Sequence, residues 1–113
     1  MAAIITVVKG TEMVTGRTRE ALYDITFDAA YTTTGVALDP DSAGFVGQIF
    51  GFHFVGVATV AGTAPTNLPV PSFDFKNQKL MLFGTAGGAT GLTEIANATA
   101  LATVVIRARL IGF

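Results

Sequence analysis

The alternation of apolar and polar residues is clearest in the last stretch of the chain, Leu101 to Phe113. Ala102, Val104, Ile106, Ala108 and Leu110 fall on one face of an extended strand, while Thr103, Arg107 and Arg109 fall on the other with Val105 and Ile111 among them. A helix would scatter the two arginines among the apolar positions and would crowd Thr, Val and Ile against its preceding turn. The pattern predicts one long, half-buried strand, for which the rest of the chain supplies partners.

Upstream, Ile4, Ile5, Val7 and Val8 form an apolar run broken by Lys9 and Gly10, and Met13 and Val14 follow before Gly16; this reads as one strand or a bent pair. Gly16 to Glu20 is polar and turn-like. Ala21, Tyr23, Ile25 and Phe27 then alternate with Asp24, Thr26 and Asp28 as a strand with a clear inside and outside. Thr32 to Gly35 predicts a loop and Val36 to Leu38 a short extended piece, and Asp39, Pro40, Asp41 and Ser42 open either a short helix or a type I turn. Phe45 to Val60 is apolar on both faces, with Phe50, Phe52 and Phe54 pointing one way, Ile49, Val55 and Val57 the other, and His53 among them. A strand of that kind is expected to be buried on both sides, by a second layer or a second subunit. Gly62 to Pro71 holds Pro65, Pro69 and Pro71 and predicts a loop with no ladder of its own. Phe73 and Phe75 alternate with Asp74 and Lys76, Asn77 and Gln78 turn, and Lys79 to Phe83 returns as a strand. Gly84 to Gly91 is a glycine-rich break, and Leu92, Glu94 and Ile95 lead to the final strand. Many short strands at regular turn spacing predict an all-β fold, a single-domain antiparallel β-sandwich or jelly roll over residues 1–113.

Composition adds that this sandwich meets other protein. The chain is 50% apolar and only 13% charged, against a usual ~25% charged, so much of its surface is expected to be covered by partners. Seven basic and eight acidic residues leave a net charge of −1, which gives no field to gather phosphate; nucleic acid is not an expected partner. No Asp, Glu, Lys or Arg lies between Asp41 and Asp74, which raises a membrane helix. Gln48, His53, Thr59 and repeated glycines, with Phe and Val favouring extended structure, argue instead for strand. Met1 to Lys9 lacks the basic start and cleavage region of a secretory signal.

Candidate chemistry is sparse. With one histidine and no cysteine, no triad or two-histidine metal site can form within one subunit, so neither enzyme activity, cofactor nor metal is expected. Asp39 and Asp41 have calcium-loop spacing, but Pro40 stands between them and they read as turn residues. Gly84, Gly87, Gly88 and Gly91 lack the Lys and the helix that a phosphate loop needs. Phe50, Phe52 and Phe54 could stack on bases or sugars; with no charge near them they read, together with His53, as core or subunit interface. Arg107 and Arg109 are either solubilising charges on an edge or anchors for a partner's carboxylates.

Two stretches, and in character only the charge-free middle with its glycines and phenylalanines, resemble a family of small structural proteins of tailed bacteriophages, the head decoration or cement proteins. One is Tyr23 to Leu38, with Asp28, Tyr31, Thr34, Gly35 and Leu38; the other is Glu94 to Leu101 followed by Val104 to Gly112. Together they cover about a third of the chain, and Val36 stands where such sequences often have a second glycine. The resemblance implies a β-sandwich virion protein, made in the cytoplasm of a bacterial host and assembled as a homo-oligomer, commonly a trimer, on the capsid surface. Its partner would be the major capsid protein, with Arg107, Arg109, Pro65, Pro69 and Pro71 as expected contacts. A tail, baseplate or fibre component, a carbohydrate-binding module and a small membrane protein are the alternatives.

Overall fold

A computed structural model of the chain describes residues 3–27, 30–59, 69–84, 93–95, 101 and 104–113. In chain order its strands are β1 (Ala3–Val7), β2 (Met13–Thr15), β3 (Thr18–Phe27), β4 (Val36–Ala37), β5 (Ile49–Thr59), β6 (Val70–Asp74), β7 (Lys79–Gly84), β8 (Thr93–Glu94) and β9 (Val104–Gly112), with a short 3₁₀ helix at Pro40–Ala43. One sheet runs β1-β3-β9-β5, with β2 also on β3; the other runs β4-β7-β6, with β8 on β7. Each pairing is antiparallel. The fold is an all-β sandwich.

The predicted terminal strand is its spine, since β9 pairs with β3 on one side and β5 on the other. Val104, Ile106, Ala108, Leu110 and Gly112 are buried and the residues between them are not. Ala21, Tyr23, Ile25 and Phe27 of β3 repeat the pattern, and these faces meet Val36, Leu38, Leu80 and Leu82 from the opposite side. Ala102, Thr103 and Asp28 lie outside the described residues.

The first apolar run is a bent pair. Gly10, at φ +82°, turns the chain between β1 and β2, and Thr11 ties the bend to β3: its hydroxyl donates to Val8 O at 2.6 Å and accepts from Leu22 N–H at 3.0 Å. The polar stretch expected to be a turn is shorter than its composition suggests, because β3 already begins at Thr18. Asp39 caps the 3₁₀ helix, accepting from Asp41 N–H at 3.0 Å. Tyr23 fixes that helix to the sheet by donating to Ala43 O at 2.7 Å.

Two expectations are corrected here. Within one subunit β5 is not buried on both sides: among the described residues it lies at the edge of its sheet, with His53, Phe54 and Val55 exposed, which leaves the second subunit as the expected cover. Irregularities between Ile49 and Gly51 and between Phe54 and Gly56 also shift its phase. Phe52, Phe54 and Val57 stand opposite Leu110, Ala108 and Ile106, the buried face of β9, so Val57 shares a face with the phenylalanines rather than opposing them. The proline segment also ends earlier than expected, because β6 begins at Val70 and includes Pro71, opposite Leu82. A proline fits there because β6 pairs only with β7 among the described residues, so a missing N–H leaves no ladder bond unmade on the free side.

Candidate functional site: an aromatic groove

The feature that stands out as a contact surface is built from the edge strands of the two sheets. The sheet holding β9 has five strands against four in the other, and part of the inner face of β5 stays exposed. Phe52 is covered, stacking on Phe73 of β6 with ring centroids 5.7 Å apart and planes 15° from parallel. Phe54 is opposite the fully buried Ala108 yet 43% exposed. Between the strands runs a groove of about 360 Å³ lined by Phe50, Phe52, Phe54, Pro71, Ser72, Phe73 and Phe75. Phe75, in the turn after β6, stands 68% exposed at its rim. Phe50 leans on Phe113, centroids 6.1 Å apart, which extends the aromatic surface to the end of the chain.

The geometry is set by one side chain between the sheets. Gln78, in the β6–β7 turn, donates from its amide to Ile49 O at 2.9 Å and accepts from Ile49 N–H at 2.9 Å. It also donates to Phe75 O at 2.7 Å. The amide thus pairs with Ile49 as a neighbouring strand would, and holds the start of β5 against the turn that carries Phe75. Asp74 shapes the same turn, accepting from Lys76 and Asn77 N–H and from the Asn77 side chain. These bonds, the Asn77 amide first, hold its carboxyl below the usual carboxylate range.

The other candidate residues separate. His53 is exposed on the outer face of β5, opposite Arg109, and does not join the groove phenylalanines. Arg107 is not an edge charge, since β9 is flanked on both sides. Its guanidinium grips Asp24 directly across the β3–β9 ladder, Nε to Oδ1 at 2.7 Å and Nη2 to Oδ2 at 2.9 Å. That fork holds the Asp24 carboxyl below its ordinary pKa, and leaves Arg107 committed within the subunit. Arg109 is half-buried on the same face, with no ion pair among the described residues. Pro69 and Pro71 are buried rather than offered as an outer contact; Pro65 lies outside the described residues. Among the described residues no three His, Asp or Glu side chains converge as metal ligands would, and no helix is long and apolar enough to cross a membrane.

The sequence did not single out Phe73, Phe75 or Gln78. Phe73 and Phe75 do stand in an alternating run like the β5 phenylalanines, but only the pairing of the two sheets brings the runs together. A second junction joins the two stretches on which the family resemblance rests. Glu94 Oε1 accepts from the Tyr31 hydroxyl and from Thr34 N–H, each at 2.6 Å, and the Tyr31 hydroxyl accepts from Leu82 N–H at 3.3 Å. Burial and then the Glu94 bond push the Tyr31 hydroxyl up to about 12. These residues tie the β3–β4 connection to β7 and β8 and act on the fold. No protein family, curated protein or solved structure matches the chain.

Proposed function

We propose that this protein is a structural component of a tailed-bacteriophage virion, a decoration protein that binds the outside of the assembled capsid as a homo-oligomer and holds adjacent capsomers together. The observation that carries the structural role is the charge-free aromatic groove, in a chain only 13% charged. Rings left open to water at a sheet edge favour protein contact. The virion assignment rests on the resemblance at Tyr23 to Leu38 and Glu94 to Gly112. Linked copies would bind a repeating lattice with multiplied affinity even where each contact is weak.

The carbohydrate reading is less well supported. A sugar site needs several convergent polar groups to fix the hydroxyls, and the groove offers one polar side chain, that of Ser72. The decisive test compares capsids with and without the protein by electron microscopy, alongside their survival of heat or chelator. Added protein should rebind stripped capsids and raise the temperature at which they open. Protein recovered only with isolated tails would replace this reading with the tail alternative, and retention on glycan columns through Phe50, Phe52 or Phe54 would replace it with the lectin one.

A further inference from the structure

We infer that the aromatic groove is closed by the same groove of a second copy of this chain, in a two-fold contact centred on Phe54 and Phe75. The inference rests on the groove's being a protein contact and not on the virion reading, so either can fail without the other.

Three observations point to a second copy. The first is area. Phe50, Phe54, Phe75 and Phe113 are 48%, 43%, 68% and 38% exposed, which at 150–250 Å² for each buried aromatic comes to on the order of 400 Å² of ring surface. A standard interface takes ~800 Å² from each partner, a little over half of it apolar. The rings alone come close to that apolar share. The second is charge. In an isologous contact a group on the axis meets its own image, so a charge there is repelled, while off-axis charges such as Asp74 and Lys76 beside Phe75 can meet groups of opposite sign. The groove lining holds no Asp, Glu, Lys, Arg or His. The third is likeness of surface: the groove is open, and the exposed rings of Phe54 and Phe75 line it together with Phe52 and Phe73, so two copies set ring against ring. β5 is also a free sheet edge among the described residues. A two-fold axis beside it and perpendicular to the strand sets the second β5 antiparallel to the first, an orientation in which edge strands can pair. The assembly is then a dimer, or a larger assembly with two-fold axes, in place of the trimer implied by the family resemblance.

The test uses the full chain in analytical ultracentrifugation. Wild type should sediment as a dimer at micromolar concentration. Phe75→Asp, at an exposed turn position that leaves the core intact, should weaken association at least tenfold, and so should Phe54→Asp if circular dichroism shows it folded. Met13→Asp, on the opposite edge, should leave association unchanged. Because the chain has no cysteine, Phe54→Cys and Phe75→Cys report symmetry directly: at least one should oxidise to a disulfide-linked dimer, while Met13→Cys should not. A monomer, a trimer, a dimer indifferent to Phe75→Asp, or no cross-link at either position would overturn the inference.

Discussion

Tyr31 shows at the scale of a single residue how a buried polar group is held. Its side chain is 1% exposed, and its hydroxyl both donates to Glu94 and accepts from Leu82 N–H. Thr34, at φ +79°, is a β-branched residue in a costly backbone region; its N–H bond to the same carboxylate offsets the strain. Tyr31→Phe should lower stability at neutral pH by about 1–2 kcal/mol, seen as an earlier urea midpoint. The folded pKa lies above the ordinary 10.0, at about 12, so the contribution is complete below pH 10 and is lost as pH rises through 12. Tyr31→Phe should therefore flatten the alkaline decline, leaving the part that belongs to Tyr23, whose hydroxyl burial also raises. Asp24 has the opposite sign. Its lowered pKa means that its contribution is present above about pH 4 and is lost as pH falls through the folded value. The pair is partly exposed, at 45% for Arg107 and 31% for Asp24, so Asp24→Asn should cost less than ~1 kcal/mol at pH 7. Urea titrations at acid pH should find its acid-dependent loss smaller than that of wild type. Gly112 is a matter of space: a Cβ there would lie 2.5 Å from Gln48 O and 2.9 Å from the Phe45 ring. Gly112→Ala should cost about 1–3 kcal/mol, because the nearest obstacle is backbone and cannot turn aside.

Among the elements, β3 and β9 were legible in the sequence because each keeps strict alternation along an uninterrupted ladder, and the burial of Val104, Ile106, Ala108 and Leu110 follows from it. β5 was only partly legible. Its strand character is plain from Phe and Val, but each irregularity adds a residue and reverses the phase, and neither leaves a mark that counting by twos can detect. The same limit hid the groove, since Phe52 and Phe73 meet only once the sheets are packed. Gln78 was hidden for a further reason: a glutamine in a turn looks like a solvated residue, while here, at φ +55°, it is aimed back at the edge of the other sheet. Gln78→Ala should leave the Ile49 N–H and C=O without this partner, costing about 1–3 kcal/mol in urea unfolding. Gln78→Gly separates backbone from side chain. It relieves the left-handed φ but removes the same bonds, so it too should destabilise; stability equal to wild type would mean that the amide contributes nothing to the junction.

At the scale of the whole molecule, the charge distribution sets how any assembly responds to salt. The net charge is −1, the groove lining carries no ionisable group, and Arg107 is already held by Asp24. A contact made through such a surface gains almost nothing from Coulomb attraction, and added salt has little to screen. Its driving force is the removal of ring surface from water, which salting-out ions strengthen. Self-association measured by sedimentation should change less than about threefold between ~0.05 and ~0.5 M sodium chloride, where the screening length falls well below the size of the subunit. The same association should tighten in ammonium sulfate. Weakening by tenfold or more in sodium chloride would mean that ionic groups carry the contact. Arg109 and His53, paired across the outer face of β5 and β9, would then be the first residues to substitute, and the subunit contact would lie on the opposite face of that sheet from the groove.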